Sequence, residues 1–349
     1  MEVTLKKKDS IKQRLGLLSF LCLILVFSLL NTMRIWSIDA PITKALLKKI
    51  PFDFNMNTIR KIVPMQDYFY ILDSGNHRIL KTKGKSIEGE IGIIGNGKGE
   101  IYYPEDMIFE NNLFYILDRG NHRIQIIDID GKPVGMFPEN PVASGIASNS
   151  SNMIFLGQAT QNKLISVYDV KGNVVSRFGE LIKPSEVFGL SYIKNDSTHI
   201  IPMNRVYLQT DNSDNIWVAY YHMPVICAYS STGKPILKKI IQLQGFEKIK
   251  NAVWNPSPHS NFLSIGMDGV TLSLFINDFC FQPTLNRFYL VLGDNRILKL
   301  DPSGNIERII KPRVLKGAIE KIGVDSKEQI FVSFFFSSEI YQLEYIQSK

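Results

Sequence analysis

The sequence is poor in the residues from which metal centres and disulfide frameworks are built. Its 349 residues include three cysteines and five histidines. Cys22 lies in an apolar run, which leaves Cys227 and Cys280; we expect two buried free thiols, with a single bridge as the alternative. The histidines at positions 199, 222 and 259 do not have the pairwise spacing of a metal site. Any metal site would have to form from residues that folding brings together.

Nucleotide and calcium motifs are also absent. The stretch Gly92–Gly99 is rich in glycine, but neither a Lys-Ser/Thr pair nor a helical pattern follows it. It therefore fits neither a P-loop nor a dinucleotide site. The stretch Asp128–Gly131 resembles the start of a calcium loop, but the remaining acidic ligands of such a loop are missing. We expect a tight turn there instead.

The positive charge is concentrated near the N-terminus. The formal net charge is +7, from 40 Lys/Arg and 33 Asp/Glu. Residues 1–57 hold nine basic and four acidic residues, so the rest of the chain carries only +2. A protein that binds RNA through a basic face would carry this excess on its folded domain. No nucleic-acid partner is therefore predicted.

A long apolar run follows the first basic residues. Residues 15–33 contain no charged side chain and are just long enough to cross a bilayer as a helix. We predict a basic cytoplasmic tail over 1–14, a transmembrane signal-anchor over 15–33 and a linker over 34–49. The domain over 50–349 would then be periplasmic or extracellular. Two alternatives stay open: a cleaved secretory signal, and lipid attachment at Cys22.

The most informative feature of the chain is a repeated phrase. Tyr70–Ile79 returns 45 residues later as Tyr115–Ile124, with Arg119 in place of Ser74 as the single difference. An apolar run, an Asp/Gly/Asn turn cluster and the start of a second strand together predict a hairpin. Hairpins repeated at this period are typical of a β-propeller.

The second copy, read with its lead-in Gly95–Pro104, resembles an NHL repeat. This family is named for an Asn-His-Leu tripeptide, which Asn121-His122-Arg123 closely approaches. The resemblance implies a propeller blade with a glycine-rich connection before it. Because a catalytic group is rarely needed twice at symmetric positions, we interpret both motif copies as structural. These residues are Asp73, Asn76, His77, Arg78, Asp118, Asn121, His122 and Arg123.

Diverged copies of the blade follow from the apolar pattern. The predicted second strands are Tyr68–Leu72, Phe114–Leu117, Met153–Leu156, Ile216–Ala219, Phe288–Val291 and Ile330–Ser333. The predicted third strands are His77–Lys81, His122–Asp128, Lys163–Asp169, Val225–Tyr229, Arg296–Leu300 and Glu339–Tyr345. Hairpin glycines follow at Gly84, Gly131, Gly172, Gly233 and Gly304.

Only four residues follow Tyr345, so the last blade lacks a fourth strand. We expect Ile50–Asn55 to supply it and to close the ring, because an open sheet edge invites aggregation. The predicted fold class is an all-β, six-bladed, NHL-like β-propeller preceded by one transmembrane helix.

Two intervals between blades, 180–211 and 240–285, are longer than a blade connection needs. Such insertions often build a binding face, and Trp254 and His259 are the candidate partner contacts. The alternative is that each interval merely contains a long first strand, which in blade five would lie near Phe275–Phe281.

The sequence favours a non-catalytic binding platform for a protein, peptide or glycan. No catalytic residue and no cofactor are predicted. The alternative is a metal-dependent hydrolase or lyase with calcium or zinc in the central channel, because six-bladed propellers similar to the NHL-repeat family include such enzymes. The sequence has no evident set of inward His, Asp, Asn and Glu ligands for that metal.

Overall fold

Antiparallel strands make up most of the protein. The computed structural model describes residues 33–35, 40–65, 67–139, 143–188, 197–243, 264–267, 270–313 and 317–346. Over these ranges the helices are α1 (Pro184–Phe188) and α2 (Ser197–Met203), with single 3-10 turns at Ser74–Asn76 and Arg119–Asn121. None of them has the length and hydrophobicity to cross a membrane. The predicted tail and all of the predicted anchor before Met33 lie outside the described residues, as do Trp254 and His259.

The strands are, in chain order, β1 (Met33–Ile35), β2 (Ile42–Lys49), β3 (Ile59–Pro64), β4 (Tyr68–Asp73), β5 (Arg78–Lys83), β6 (Ser86–Ile91), β7 (Ile93–Ile94), β8 (Glu100–Ile101), β9 (Asp106–Glu110), β10 (Leu113–Asp118), β11 (Arg123–Asp128), β12 (Pro133–Pro138), β13 (Ile146–Ser148), β14 (Ile154–Thr160), β15 (Lys163–Tyr168), β16 (Val174–Glu180), β17 (Val206–Thr210), β18 (Ile216–Tyr220), β19 (Val225–Tyr229), β20 (Pro235–Ile240), β21 (Ser264–Met267), β22 (Val270–Ser273), β23 (Ile276–Gln282), β24 (Arg287–Leu292), β25 (Ile297–Leu300), β26 (Ile306–Pro312), β27 (Ile319–Val324), β28 (Ile330–Phe334) and β29 (Ile340–Tyr345).

The sheets form in sequence order. β3–β6, β9–β12, β13–β16 and β17–β20 each make four consecutive antiparallel strands, and β1 lies parallel to β20. The remaining large sheet has the order β23-β24-β25-β26-β2-β29-β28-β27, and β7-β8 and β21-β22 are small pairs. Successive up-and-down sheets are the pattern of an all-β, propeller-like fold.

The strand predictions agree with the structure at every predicted second and third strand, within about two residues at most ends. The exception is the second strand of the third sheet, which extends to Thr160. The five predicted hairpin glycines all have positive φ, between 58° at Gly84 and 85° at Gly233. A residue without Cβ adopts this conformation at little cost, which is why glycine marks these turns.

The closing strand lies earlier in the chain than predicted. β2 pairs antiparallel with β29, through Ala45 opposite Tyr345 and Lys49 opposite Tyr341, and it also lies parallel to β26. The prediction of Ile50–Asn55 for this strand is therefore wrong, and part of the predicted linker is sheet. In β2, exposed side chains mostly alternate with buried or half-buried ones, which is the pattern of an outer strand. The predicted segment contains Pro51, which cannot donate a ladder hydrogen bond.

A row of aromatic side chains fills the space between successive sheets. The second strand of each antiparallel set contributes one member, and each member is at least 95% buried. The row consists of Tyr70, Tyr115, Phe155, Trp217, Tyr289 and Phe331. The ring contacts of this row are tilted or edge-to-face, such as Tyr70 with Phe114 and Trp217 with Phe288, and they bury large apolar side chains between the sheets.

Both cysteines in the described part of the chain are free thiols, as predicted. Cys227 is buried, but Cys280 is only half-buried. Burial raises the pKa of Cys227 to about 11. Burial also raises the pKa of Cys280 above its ordinary range. Neither thiol is poised for nucleophilic chemistry at neutral pH.

Candidate functional site

The two motif copies make the same set of hydrogen bonds. In the second copy the buried Asp118 accepts from the backbone N–H of Tyr102 at 2.7 Å and from Asn121 Nδ2 and Arg123 Nε at 2.8 Å. In the first copy Asp73 accepts from Asn57 N–H at 2.6 Å, and from Asn76 and Arg78 at 2.9 and 3.0 Å.

Each motif aspartate therefore ties its own hairpin to the segment that precedes its sheet. The histidines that follow, His77 and His122, adopt left-handed backbone conformations with φ of 58° and 51°. His77 Nδ1 accepts the N–H of Tyr103 at 3.0 Å. The Asp, Asn and Arg side chains of both copies, and the His77 side chain, therefore form hydrogen bonds within the protein itself.

A cavity of about 420 Å³ lies at one end of the innermost strands. It is lined by residues from β3, β9, β13, β17, β23 and β27, the first strand of each antiparallel set. The lining residues come from the middle and C-terminal parts of these strands and from the turns that follow. A pocket of this size at a channel mouth is large enough for a small ligand or a peptide segment.

Strand register identifies the floor of this pocket. In each set, the residue opposite the second-strand aromatic side chain is a lining residue of the pocket. The floor consists of Val63, Ile108, Ala147, Gln209, Cys280 and Gly323. None of these six side chains is charged, but Lys61 and Glu110 also line the pocket.

The walls above the floor differ in chemistry. Phe109 of β9 and Met65, which follows β3, give one part of the lining an apolar surface, together with Phe281 of β23 and Pro283 after it. β13 and β17 contribute the hydroxyl groups of Ser148 and Thr210, whereas Gln282 Nε2 already donates to the carbonyl of Val324 and its Oε1 accepts the N–H of Thr284. Thr210 Oγ1 is buried without a hydrogen-bond partner. The pocket can therefore hold a ligand with one apolar and one hydrogen-bonding face.

A charged layer lies directly beneath the floor. This layer consists of the residues that lie two positions before each floor residue in the sequence. They are Lys61, Asp106, Gly145 (just before β13), Tyr207, Asp278 and Lys321. Lys61, which also lines the pocket, places its Nζ 3.0 Å from Asp106 Oδ1. Asp278 Oδ2 accepts the N–H of Ile322 at 2.8 Å, and burial raises the pKa of Asp278. The layer holds two ammonium and two carboxyl groups.

Three strand irregularities place further polar residues next to the charged layer in sequence. The registers of β3, β23 and β27 shift at Arg60, Asn277 and Glu320. Arg60 Nη1 donates to Glu320 Oε1 at 2.6 Å, and Asn277 Nδ2 donates to the carbonyl of Ile319 at 2.8 Å. Burial raises the pKa of Glu320. Bulges of this kind re-aim side chains and are common beside functional sites.

The described parts of the long intervals are α1, α2 and the β21-β22 hairpin, which all connect a fourth strand to the next first strand. The pocket, by contrast, lies where first strands end. Each interval also contains a first strand, β17 or β23, as the second sequence interpretation expects; the binding-face interpretation stays a prediction. β23 spans Ile276–Gln282, close to the predicted Phe275–Phe281.

Sequence reasoning missed the charged layer. Lys61, Asp106, Asp278 and Lys321 are separated by as many as 260 residues, and no short motif contains them. The usable signal is a charged residue near the start of an otherwise apolar first strand. It lies two residues before the residue that pairs with the aromatic side chain of the second strand. Among the described residues, no three His, Cys, Asp or Glu side chains are grouped to hold a metal ion.

Comparisons with known proteins identify the architecture. No protein family and no curated protein matches the sequence. A solved structure of a putative exported protein from Bacteroides fragilis NCTC 9343 superposes with a TM-score of 0.55, covering 90% of this chain and 99% of its own at 11% identity. A structure described as streptogramin B lyase gives 0.53, covering 86% of this chain and 97% of its own, also at 11% identity. The chain has a propeller fold. At this identity, the likeness establishes the fold of this propeller and nothing about its chemistry.

Proposed function

We propose that this protein is a membrane-anchored, extracytoplasmic, six-bladed NHL-type propeller that acts as a non-catalytic binding platform. The blade count is supported by the aromatic row, which has one member in each of six second strands. It is also supported by β2, which supplies the fourth strand beside β29. The NHL assignment rests on the two motif copies and their matching hydrogen bonds.

The pocket at the channel mouth is the observation that carries the binding proposal. Its apolar wall, with Met65 and Phe109, suits apolar side chains, and its polar wall, with Ser148 and the unpartnered hydroxyl group of Thr210, suits backbone amides. A peptide segment presents both. Of the partner classes that the sequence leaves open, a peptide or a protein loop fits this division better than a glycan, which presents hydroxyl groups on most of its surface.

Filling the pocket tests this proposal. Ser148→Phe places an aromatic ring beside the floor, whereas Ser176→Phe adds the same ring to the exposed part of an outer strand. A pool of N-acetylated tripeptides would be dialysed against each protein, and retained peptides would be measured by mass spectrometry. We expect the wild-type and Ser176→Phe proteins to retain the same peptides, and Ser148→Phe to lose at least tenfold in retention. No retention by the wild type, or equal retention by Ser148→Phe, would refute the proposal.

A metal-dependent hydrolase or lyase is the second candidate. It is favoured by Asp278 and Glu320, two buried carboxyl groups with raised pKa values near the channel. A further argument is that one structure of similar fold is described as a lyase. Elemental analysis of the purified protein separates the candidates. One zinc or calcium ion per chain that survives dialysis would favour the enzyme over the platform.

A further inference from the structure

Two of the residues that line the pocket carry charged side chains, Lys61 and Glu110. The lysine is engaged within the protein, because it is buried and its Nζ lies 3.0 Å from Asp106 Oδ1. The other ammonium group of the charged layer, on Lys321, is engaged as well. Burial raises the pKa of Asp278, and Lys321 is the charge that most opposes this rise. The positive charges near the pocket are therefore balanced by carboxyl groups beneath its floor.

The carboxyl group of Glu110 lacks a partner of this kind. The residue is the last of β9 and is half-buried, and over the described ranges its side chain has neither an ion pair nor a hydrogen bond. Burial raises its pKa, and the carboxylate of Asp214 raises it further. Asp214 is fixed in place, since it accepts the N–H and the hydroxyl group of Ser150 at 3.0 and 2.5 Å. A half-buried carboxylate beside a second one costs free energy, and a positively charged ligand group would recover it.

Strand geometry places this carboxyl group within reach of a ligand on the floor. Ile108 is part of the floor, and Glu110 follows it on the same face of β9, about 7 Å farther along the strand. Phe109 adds an apolar surface to the lining, and the hydroxyl oxygen of Thr210 is a buried acceptor without a partner. An apolar group on the floor could therefore extend a cationic end to Glu110.

We propose that the pocket takes ligands that carry one positively charged group beside an apolar part, and that Glu110 binds this group. The inference rests on the proposed binding function and names its ligand class. A peptide with a lysine or arginine side chain has both parts, and so has a small aromatic amine. An anionic ligand is disfavoured, because Glu110 and Asp214 would repel it and Lys61 is already paired.

The experiment uses three pools of N-acetylated tripeptide amides that differ at one position, which holds lysine, N-acetyl-lysine or glutamate. A fourth probe, 2-phenylethylamine, is an amine without peptide groups. Proteins compared are the wild type, Glu110→Gln, Glu110→Lys and Glu88→Gln. The last is the matched control, because Glu88 is exposed on β6 and does not line the pocket, and its substitution changes the net charge equally.

Thermal melts test the premise before any ligand is added. Glu110→Gln should melt no lower than the wild type, because it neutralises a half-buried carboxyl group that has no partner among the described residues. A clear loss of stability in this variant, with none in Glu88→Gln, would show that Glu110 has a partner within the protein and would overturn the inference.

We expect the wild type and Glu88→Gln to retain the lysine pool about tenfold more than the N-acetyl-lysine pool, the size of one charge-assisted hydrogen bond. Glu110→Gln should lose this preference, and Glu110→Lys should prefer the glutamate pool. Equal retention of the lysine and N-acetyl-lysine pools by the wild type, or a preference that survives Glu110→Gln, would overturn the inference but leave the proposed binding function intact.

The amine probe separates the two sources of the cationic group. Retention of lysine peptides without 2-phenylethylamine would support the inference for peptides, and retention of both would extend it to small amines. Retention of 2-phenylethylamine alone would support the inference for small amines and overturn the proposed peptide ligand. Retention of no probe by the wild type would overturn both the inference and the proposed binding function.

Discussion

The hydrogen-bonded aspartate of the repeated motif gives the sharpest stability prediction. Asp118 is fully buried and accepts three hydrogen bonds, one of them from the guanidinium of Arg123. Asp118→Asn keeps the size of the side chain but removes its charge, and turns one acceptor atom into a donor that faces Asn121 or Arg123. We expect this substitution to lower the free energy of unfolding by about 3 kcal/mol, as for a buried pair that loses one partner.

The first copy of the motif, with Asp73, makes the same prediction testable by comparison. Arg123 is further held by the carbonyls of Asn96, Gly97 and Glu100, and its side chain is 10% exposed. Arg78 is 21% exposed and also pairs with Glu90, so it keeps a partner when Asp73 is neutralised. We therefore expect Asp73→Asn to cost less than Asp118→Asn, by about 1 kcal/mol or more.

Urea unfolding followed by tryptophan fluorescence measures both changes. Asp128→Asn is the control, because this turn aspartate accepts two backbone N–H groups through Oδ1 and asparagine can do the same. Its cost should stay below about 0.5 kcal/mol. A cost for Asp118→Asn that matches the control would refute the view that the motif braces the blades.

Three further predictions concern turns, pH and closure. Gly172→Ala should destabilise the protein more than Gly84→Ala in thermal melts, because a Cβ at Gly172 would lie 2.3 Å from Phe137 Cβ, whereas nothing lies within 4 Å at Gly84; equal losses would contradict this. Burial raises the pKa of Asp278, so the folded chain keeps this proton to higher pH than the unfolded chain, and stability falls as pH rises through the raised pKa. Asp278→Asn should flatten the curve of unfolding free energy above about pH 4, the ordinary pKa of an aspartate, and curves that run parallel would refute it. A chain that starts at Ile50 should melt at lower temperature throughout and self-associate in size-exclusion chromatography, while one that starts at Ala40 should remain folded and monomeric; equal behaviour would show that β2 is not needed for closure.

Much of the fold could be predicted from the sequence because its signals are local. The stretch Tyr70–Ile79 contains a strand, a turn and the next strand in ten residues, and each hairpin glycine lies next to the strands that it joins. The closing strand was misplaced for a physical reason. β2 pairs with strands about 270 to 300 residues away in sequence, and alternation in Ile42–Lys49 is no stronger a local signal than the apolar stretch after it.

The candidate site could not be predicted because it is a property of register between distant strands. Lys61 and Lys321 have nothing in common in sequence except their position near the start of a strand. They become neighbours only when first strands are arranged around a channel. The same register explains why the histidines of the motif attract attention in the sequence but take no part in the pocket.

A crystal structure of the protein with a retained tripeptide tests the central claim most directly. Our account predicts that the peptide lies at the C-terminal ends of the innermost strands, with its side chains against Phe109 and Met65. A peptide bound at the opposite end, among α1, α2 and the β21-β22 hairpin, would contradict the account and make the long insertions the binding face.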